Sequence, residues 1–270
     1  MTSLIGTTGL TGTTDTVMTD KIVAFADLDD TLFQTLRKLP GVAPDTLQAA
    51  TVNTAGAAHS YSTPAQVTLM ELLRGGKVTV IPVTGRDEAA MRRVTLPFTS
   101  WRVVNHGLTI LTPAGNLDEV WAAQVFSQLE SLQGQLHALS QQIRPEASRL
   151  GCRLSIHQAA GLPFMAVIKH PQADAQALAH LQGHWESGLD DAHPLQVIAN
   201  ANNVSLLPRT LGKAAAVRYL RQRHFAGAAL TLGLGDSVSD LPFMQECDFA
   251  VSPTAGQLMR ALQKARLMQS

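Results

Sequence analysis

The chain has 270 residues, enough for one large domain or two smaller ones with buried cores. It has 45% hydrophobic and 16% charged residues, and its 21 basic side chains balance 21 acidic ones. A net charge of zero gives no electrostatic reason to expect nucleic acid or an anionic membrane as a partner. The cysteines, Cys152 and Cys247, lie far apart in the sequence, which favours buried thiols in a reducing compartment over a metal site.

The first twenty residues are rich in Thr and Gly, and they lack the basic segment and long apolar core of a secretion signal. We expect residues 1–20 to form a flexible leader that carries no chemistry. No window of the sequence approaches the roughly 18 consecutive apolar residues of a membrane span. The sequence therefore predicts a cytoplasmic protein without a membrane partner.

The first third of the chain alternates strand-like with helix-like segments. The apolar run 21–27 predicts a strand buried on both faces. A helix is predicted over 64–74, because Thr63 suits the N-cap and Gly75-Gly76 suits the end. The run "KVTVIPVTGR" predicts a second strand, and "RDEAAMRRV" predicts a short helix.

The segment between the first strand and the first helix is too long for a plain connector in a compact domain. Within it, "LQAATVN" and "AAHSYS" are strand-like and flank a turn signal at Thr54-Ala-Gly56. We predict a β-hairpin at about 47–62. A disordered surface loop is the alternative.

The middle of the chain, residues 88–207, has a different pattern. "WRVVNHGLTILTPAGNL" predicts two strands with a turn at 113–115, followed by a long helix over about Glu119–Ile143. "CRLSIHQ" and "PFMAVIKH" alternate like the strands of an antiparallel hairpin, and a helix and two more strands, "LQVIAN" and "NVSLLP", follow. This succession predicts an α+β domain on an antiparallel sheet.

After Pro208 the alternation of helix and strand returns and continues through the last helix, "AGQLMRALQKARL". The predicted fold class is α/β. A doubly wound, Rossmann-like parallel sheet would comprise residues 21–87 and 208–270, with residues 88–207 inserted as the α+β domain.

Polar residues follow the predicted parallel strands where each strand ends, which is where ligands bind in open parallel sheets. Each group alone has an ordinary explanation, such as an exposed turn or a solvated lysine. Their joint occurrence, in this order, indicates one site. The residues are Asp27, Asp29 and Thr31, then Thr84 and Gly85, then Lys213, and finally Gly235, Asp236 and Asp240.

The motifs "DLDDT", "VTGR", Lys213 and "GDSVSD" resemble the four motifs of the haloacid dehalogenase superfamily of phosphohydrolases. The inserted domain resembles the type-II (C2) cap of that superfamily, as in sugar-phosphate and sucrose-phosphate phosphatases. The resemblance covers about residues 21–265. The sequence departs from the family at Asp30, where Gly is common, and at Ser239, where many relatives have Asn.

The resemblance implies a role for each acidic residue. Asp27 would be the nucleophile that forms an aspartyl-phosphate, and Asp29 would act as general acid and then as general base. Mg²⁺ would be held by the Asp27 carboxylate, the backbone carbonyl of Asp29 and Asp236, which would offset the repulsion between carboxylates. Asp240 would orient Lys213 or a metal-bound water.

The resemblance also implies a phosphate site. Thr84 would donate its hydroxyl to the phosphate, Gly85 would allow close approach of its backbone, and Lys213 would supply a positive charge. The hairpin at 47–62 corresponds to a flap at the mouth of the site. Candidate contacts to the rest of the substrate are Arg86, His59, Tyr61 and Asn203.

The predicted function is a Mg²⁺-dependent phosphatase for a small phosphorylated metabolite, with a sugar phosphate favoured. Two alternatives stay open. A phosphomutase or phosphotransferase would share the aspartyl-phosphate, and a regulatory protein would bind the phosphometabolite without catalysis. The complete set of carboxylates argues against the regulatory protein, and the acid/base Asp29 argues against dehalogenation. The sequence names neither the substrate nor the oligomeric state.

Two weaker signals lie in the inserted region. His180 and His184 are four residues apart on a predicted helix, a spacing that can ligate a metal. A solvent-facing pair is favoured because the sequence offers no third ligand nearby. Asn105-His106-Gly107 predicts a tight turn rather than a ligand contact.

Overall fold

The structure is a computed structural model that describes residues 21–159, 161–200 and 202–267. The predicted leader, residues 1–20, lies outside the described residues. The helices are α1 (Pro64–Gly75), α2 (Glu88–Met91), α3 (Glu119–Arg149), α4 (Ala175–Glu186), α5 (Lys213–His224), α6 (Leu241–Met244) and α7 (Gln257–Leu267). The strands are β1 (Lys21–Ala26), β2 (Gln34–Thr35), β3 (Gln48–Val52), β4 (Ala58–Ser62), β5 (Thr79–Pro82), β6 (Arg102–Val104), β7 (Thr109–Leu111), β8 (Arg153–Ala159), β9 (Leu162–Lys169), β10 (Leu195–Asn200), β11 (Asn203–Pro208), β12 (Ala228–Leu234) and β13 (Phe249–Val251).

A four-stranded parallel sheet in the order β13-β12-β1-β5 forms the first structural unit. Alternate residues of β1 point to opposite faces, as the two-residue period of a strand requires. Val23 and Phe25 belong to the cluster that includes α5 and α6, whereas Ala24 and Ala26 belong to the cluster that includes α1 and α2. Helices therefore cover both faces, and the doubly wound α/β core is confirmed.

The crevice of this sheet lies between β1 and β12. The chain runs from β1 to β5 on one side and later returns to β12 on the other, which is the topological switch point where doubly wound folds bind ligands. The backbone N–H of Asp27 donates to the carbonyl of Leu234 at 2.8 Å. The carboxyl ends of β1 and β12 are thus held together.

Helix α1 begins and ends as predicted. The Thr63 hydroxyl accepts the backbone N–H of Gln66, and the Gln66 side chain accepts the backbone N–H of Thr63, so the two form a capping box. Gly76 is the C-cap residue.

The antiparallel sheet has the strand order β10-β11-β9-β8. One face packs on α3 and α4, and its buried residues are Ala166, Ile168, Leu195, Val204 and Leu206. The alternate residues Met165, Val167 and Leu207 belong instead to the cluster that contains β1 and α5. The other face of this sheet is therefore turned toward the parallel sheet's domain.

Helix α3 extends further than predicted. The expected end at Ile143 is wrong, because the helix continues through Pro145 to Arg149. Ile143 and Ala147 lie four residues apart on the same buried face, and both pack in the cluster beneath the antiparallel sheet. Tertiary packing thus outweighs the hydrogen bond that Pro145 cannot make.

Hairpin β6-β7 lies between the two units along the chain. It adjoins the end of the parallel sheet through a bridge between Val83 and Val103, and the Thr84 N–H donates to the Val103 carbonyl at 2.9 Å. The predicted turn at 113–115 does not join these two strands. They are joined at 105–107, and the residues at 113–115 form the next turn. The domain limits at 88 and 207 stay a prediction.

The predicted hairpin at 47–62 is confirmed, with β3 and β4 paired antiparallel. The Asn53 side chain accepts the backbone N–H groups of Ala55 and Ala57 and so closes the turn. Strand β2, which was not predicted, adds a third strand beside β4. Among the residues described, no helix is both long enough and apolar enough to cross a membrane.

Candidate active site

A pocket of about 370 Å³ opens at the carboxyl ends of β1, β5 and β12. It gathers side chains that are far apart in sequence but adjacent at this edge of the sheet. Its lining residues are Asp27, Asp29, Thr84, Gly85, Arg86, Lys213, Asp236, Ser237 and Asp240.

Asp27 is the most deeply placed of the carboxylates that follow β1, with 6% of its surface exposed. One of its oxygens accepts the Thr31 hydroxyl at 3.2 Å, and the other accepts the Lys213 ammonium at 2.6 Å. Burial raises the pKa of Asp27 to about 7, although Lys213 opposes the rise. Carboxylates of Asp240 and Asp29 add to it.

Asp29 lies at the mouth of the pocket, with half of its side chain exposed. The Nε and Nη2 atoms of Arg86 donate to its two oxygens, each at 2.7 Å. The Arg86 guanidinium also lies 5.0 Å from the centre of the Phe33 ring. This bidentate pair fixes the direction of the Asp29 carboxylate.

Asp30 has a left-handed backbone, with φ of 67°. Glycine adopts this conformation without strain, and Asp is among the few other residues that tolerate it. Its carboxylate pairs with Lys38, outside the pocket. The departure from glycine at this position is therefore compatible with the turn.

The phosphate-binding candidates follow β5. Thr84 is buried, and its hydroxyl accepts the backbone N–H of Arg86 at 3.1 Å. A Cβ atom at Gly85 would overlap the imidazole ring of His106. Glycine is thus required at residue 85 by a packing contact that comes from the β6-β7 turn.

Lys213 and Asp240 form the floor of the pocket. The Lys213 ammonium donates to Asp27 at 2.6 Å and to Asp240 at 2.7 Å. Burial works against its charged form, but these two carboxylates outweigh burial and raise the pKa of Lys213. The second oxygen of Asp240 accepts the N–H and hydroxyl of Ser237, so both oxygens of this buried carboxylate are occupied.

Asp236 completes the acidic group after β12. Burial, together with Asp240 and Asp30, raises the pKa of Asp236 to about 6. Side-chain oxygens of Asp27, Asp236 and Asp240 lie within 4.8 Å of one another, and the described residues contain no other such group of three candidate ligands.

This oxygen donor set fits a divalent cation. Mg²⁺ prefers carboxylate and carbonyl oxygens, and a bound positive charge would offset the burial and the carboxylate repulsion that raise the pKa values of Asp27 and Asp236. Asp240 accepts three hydrogen bonds, from Lys213 and from the N–H and hydroxyl of Ser237, whereas each Asp27 oxygen accepts one, so Asp27 and Asp236 have more remaining capacity to hold the ion.

Three of the candidate substrate contacts lie outside this pocket. Asn203 lines a larger neighbouring cavity, which also includes Lys213. His59 and Tyr61 lie on β4 and line neither the pocket nor this cavity. Arg86 is in the pocket, but its guanidinium is paired with Asp29.

The structure also adds partners that sequence reasoning missed. Ser237 donates to Asp240 from the same loop, and Ser239 lies 2.8 Å from Ser237 between hydroxyl oxygens. The motif's spacing placed both serines near the site without giving their contacts. Glu146 of α3 lies 2.6 Å from His180 and 2.7 Å from His184, measured between carboxylate oxygen and ring nitrogen.

Known structures are similar to this chain in fold but distant from it in sequence. No protein-family model matches the chain, and no curated protein matches it. The sucrose-phosphatase of Synechocystis sp. PCC6803, in complex with sucrose and phosphate, is similar to it with a TM-score of 0.55 and 19% identity, covering 91% of this chain and 97% of that one. The C-terminal domain of C. albicans trehalose-6-phosphate phosphatase has a TM-score of 0.55 and 16% identity, covering 84% and 74%.

Both neighbours belong to the haloacid dehalogenase superfamily. At these identities the likeness concerns the fold. The chain therefore has the haloacid dehalogenase-like fold that its motifs predicted, with a Rossmann-like parallel sheet and a second unit built on an antiparallel sheet.

Proposed function

We propose that this chain, with its haloacid dehalogenase-like fold, is a phosphatase that hydrolyses a small phosphorylated metabolite. A sugar phosphate is the favoured substrate. The observation that carries the proposal is the pocket itself, in which the buried carboxylate of Asp27, the buried hydroxyl of Thr84 and the largely buried ammonium of Lys213 converge. A nucleophile surrounded by positive charge and hydrogen-bond donors is what phosphoryl transfer requires.

Asp27 is the proposed nucleophile. Its carboxylate oxygen would attack phosphorus, and the bond between phosphorus and the ester oxygen would break to leave an aspartyl-phosphate. Thr84 and Lys213 would bind the transferred group's oxygens, because both already lie beside Asp27 in the pocket. Asp240 would position the Lys213 ammonium through the 2.7 Å contact.

Asp29 is the proposed acid and base. It would give a proton to the ester oxygen of the departing alcohol, and then take one from the water that attacks the aspartyl-phosphate. That attack releases inorganic phosphate and restores the Asp27 carboxylate. The half-exposed position of Asp29, opposite the buried Asp27, supports this division of roles.

Mg²⁺ is the proposed cofactor, held by the carboxylates of Asp27 and Asp236 and the backbone carbonyl of Asp29. When bound, it would neutralise charge on the phosphoryl group. We further propose that residues 88–207 act as a cap over the core formed by 21–87 and 208–270. Closure of such a cap would exclude bulk water during transfer.

The test is release of inorganic phosphate from p-nitrophenyl phosphate and from sugar phosphates, with Mg²⁺ and with EDTA. Mg²⁺-dependent release supports the phosphatase. Transfer of the group to a second sugar without release would favour a mutase, and binding of phosphate esters without either reaction would favour a regulatory protein.

A further inference from the structure

A second cavity, of about 540 Å³, adjoins the catalytic pocket and shares Lys213 with it. This volume lies within the range of roughly 300–1,000 Å³ typical of small-molecule sites. The cavity is bounded on one side by α5 and α6 and on the other by the antiparallel sheet. A substrate whose phosphate lies in the pocket has room here for its remaining part.

The sheet contributes the residues of one face only. They recur every second position along each strand, as side chains on one face of a sheet must. The residues are His157 of β8, Met165, Val167 and Lys169 of β9, Gln196 and Ile198 of β10, and Asn203, Ser205 and Leu207 of β11. This face combines apolar area with amide and hydroxyl groups.

Most charges at the cavity wall already have partners. Lys213 pairs with Asp27 and Asp240, and Arg218 pairs with Glu246. The guanidinium of Arg209 donates to backbone carbonyls. Lys169, at the exposed end of β9, has no ion-pair partner among the described residues. The groups left to recognise a ligand are therefore mainly uncharged.

His106 occupies the junction between the two spaces. It lines the cavity, and its ring packs on Gly85, which lines the catalytic pocket. Within the described part of the chain, neither ring nitrogen has a hydrogen-bond partner. Burial, with the nearby charge of Lys213, lowers the pKa of His106 to about 4. A neutral imidazole offers one donor and one acceptor, which matches a hydroxyl group.

The backbone around His106 is built to hold it there. Asn105, His106 and Gly107 are all left-handed, with φ of 50°, 57° and 100°. The backbone N–H of His106 donates to the Thr84 carbonyl at 3.0 Å. A Cβ at Gly107 would overlap the backbone of Gly212, directly before Lys213. Strain of this kind persists where surrounding contacts determine the conformation, often at functional sites.

We propose that the leaving group of the substrate is an uncharged, polyhydroxylated sugar in this cavity, and that His106 hydrogen-bonds one of its hydroxyl groups. The inference rests on the proposed phosphatase function. It goes further by naming the kind of leaving group that the cavity accepts and the residue that hydrogen-bonds this group beside the phosphoester.

The experiment compares kcat/KM of wild type and His106→Asn on four esters: sucrose 6-phosphate, trehalose 6-phosphate, 3-phosphoglycerate and p-nitrophenyl phosphate. Asn tolerates the left-handed backbone, but its shorter side chain does not reach as far. His137→Asn, an exposed position on α3, controls for the exchange. If His106→Asn fails to fold, Gln196→Ala tests the cavity-lining face of the antiparallel sheet independently.

We expect His106→Asn to lower kcat/KM for the better disaccharide phosphate about tenfold more than for p-nitrophenyl phosphate, mainly through KM. Gln196→Ala should give the same selective pattern, and His137→Asn should give none. Equal losses on all esters would overturn the inference, because they would mean that His106 only supports Gly85. Preference of the wild type for 3-phosphoglycerate would overturn it in favour of an anionic leaving group near Lys169.

Failure of the proposed function has a separate signature. If the wild type hydrolyses none of the four esters, the phosphatase proposal fails, and calorimetric titration with the two disaccharide phosphates then tests the inference alone. Binding that His106→Asn weakens would support it. Absence of binding to the wild type would overturn it.

Discussion

Helices cover both faces of the parallel sheet β13-β12-β1-β5, whereas α3 and α4 cover one face of the antiparallel sheet β10-β11-β9-β8 and its other face lines the larger cavity. The first sheet therefore offers functional groups only where its strands end. The second offers them along a whole face, from every second residue. In the proposed function these two arrangements suit two tasks. Strand ends hold a few groups close together for chemistry, and a sheet face spreads many groups over a wider surface for recognition.

The largest expected effect comes from a substitution at a strand end. Asp27→Asn should lower phosphate release by about three orders of magnitude or more on every ester, because an amide is a poor nucleophile. The fold should survive, since Lys213 keeps Asp240 as a partner. Rates are measured by phosphate release and folding by thermal unfolding, with the exposed Asp191→Asn as control. Near-normal turnover in Asp27→Asn would reject the mechanism.

The sequence predicted the strand-end groups well because each one is local. Asp27, Thr84 and Asp236 directly follow apolar runs, and the carboxyl ends of parallel strands meet at one edge without any knowledge of side-chain contacts. The same locality explains why the caps of α1 were read correctly.

The sequence could not give contacts that depend on distant packing. Arg86 and Asp29 are 57 positions apart, and their bidentate geometry follows from how two loops pack. The ring of His106 lies on Gly85 only because β6-β7 adjoins the end of β5. The face of the antiparallel sheet was equally hidden, since a register shift of one residue would exchange it for the other face.

Substitution of Arg86, in the same pocket, gives the next largest expected effect. Arg86→Ala should lower kcat about 10- to 100-fold, because the Asp29 carboxylate would lose the two contacts that direct it. Arg86→Lys keeps the charge but not the bidentate geometry, so its kcat should lie between those of wild type and Arg86→Ala. Steady-state kinetics on p-nitrophenyl phosphate provide the measurement.

The matched control for Arg86 is Arg92→Ala, because Arg92 is highly exposed and, among the residues described, forms an ion pair only with Glu88 on α2. It should retain wild-type kinetics. Equal activity of Arg86→Lys and wild type would show that charge alone suffices, and equal activity of Arg86→Ala and wild type would remove Arg86 from the proposed site.

The smallest expected effect lies on the helix-covered side of the antiparallel sheet, away from the cavity. Glu146 joins α3 to α4 through His180 and His184. The hydrogen bond from His180, with the charges of both histidines, lowers the pKa of Glu146. A carboxyl whose pKa is lowered on folding stabilises the protein at pH values above the pKa that it has in the unfolded chain. This contribution is lost as the pH falls through the pKa of the folded state. Glu146→Gln should therefore unfold at a temperature about 1–3 °C below that of wild type at pH 6, and this difference should disappear in acid.

The control is Glu130→Gln, which is exposed on the same helix. Its unfolding temperature should differ from that of wild type by no pH-dependent amount, and phosphate release should be the same in all three proteins. A Glu146→Gln difference that persists unchanged in acid would mean that packing of the side chain, rather than its charge, joins the two helices.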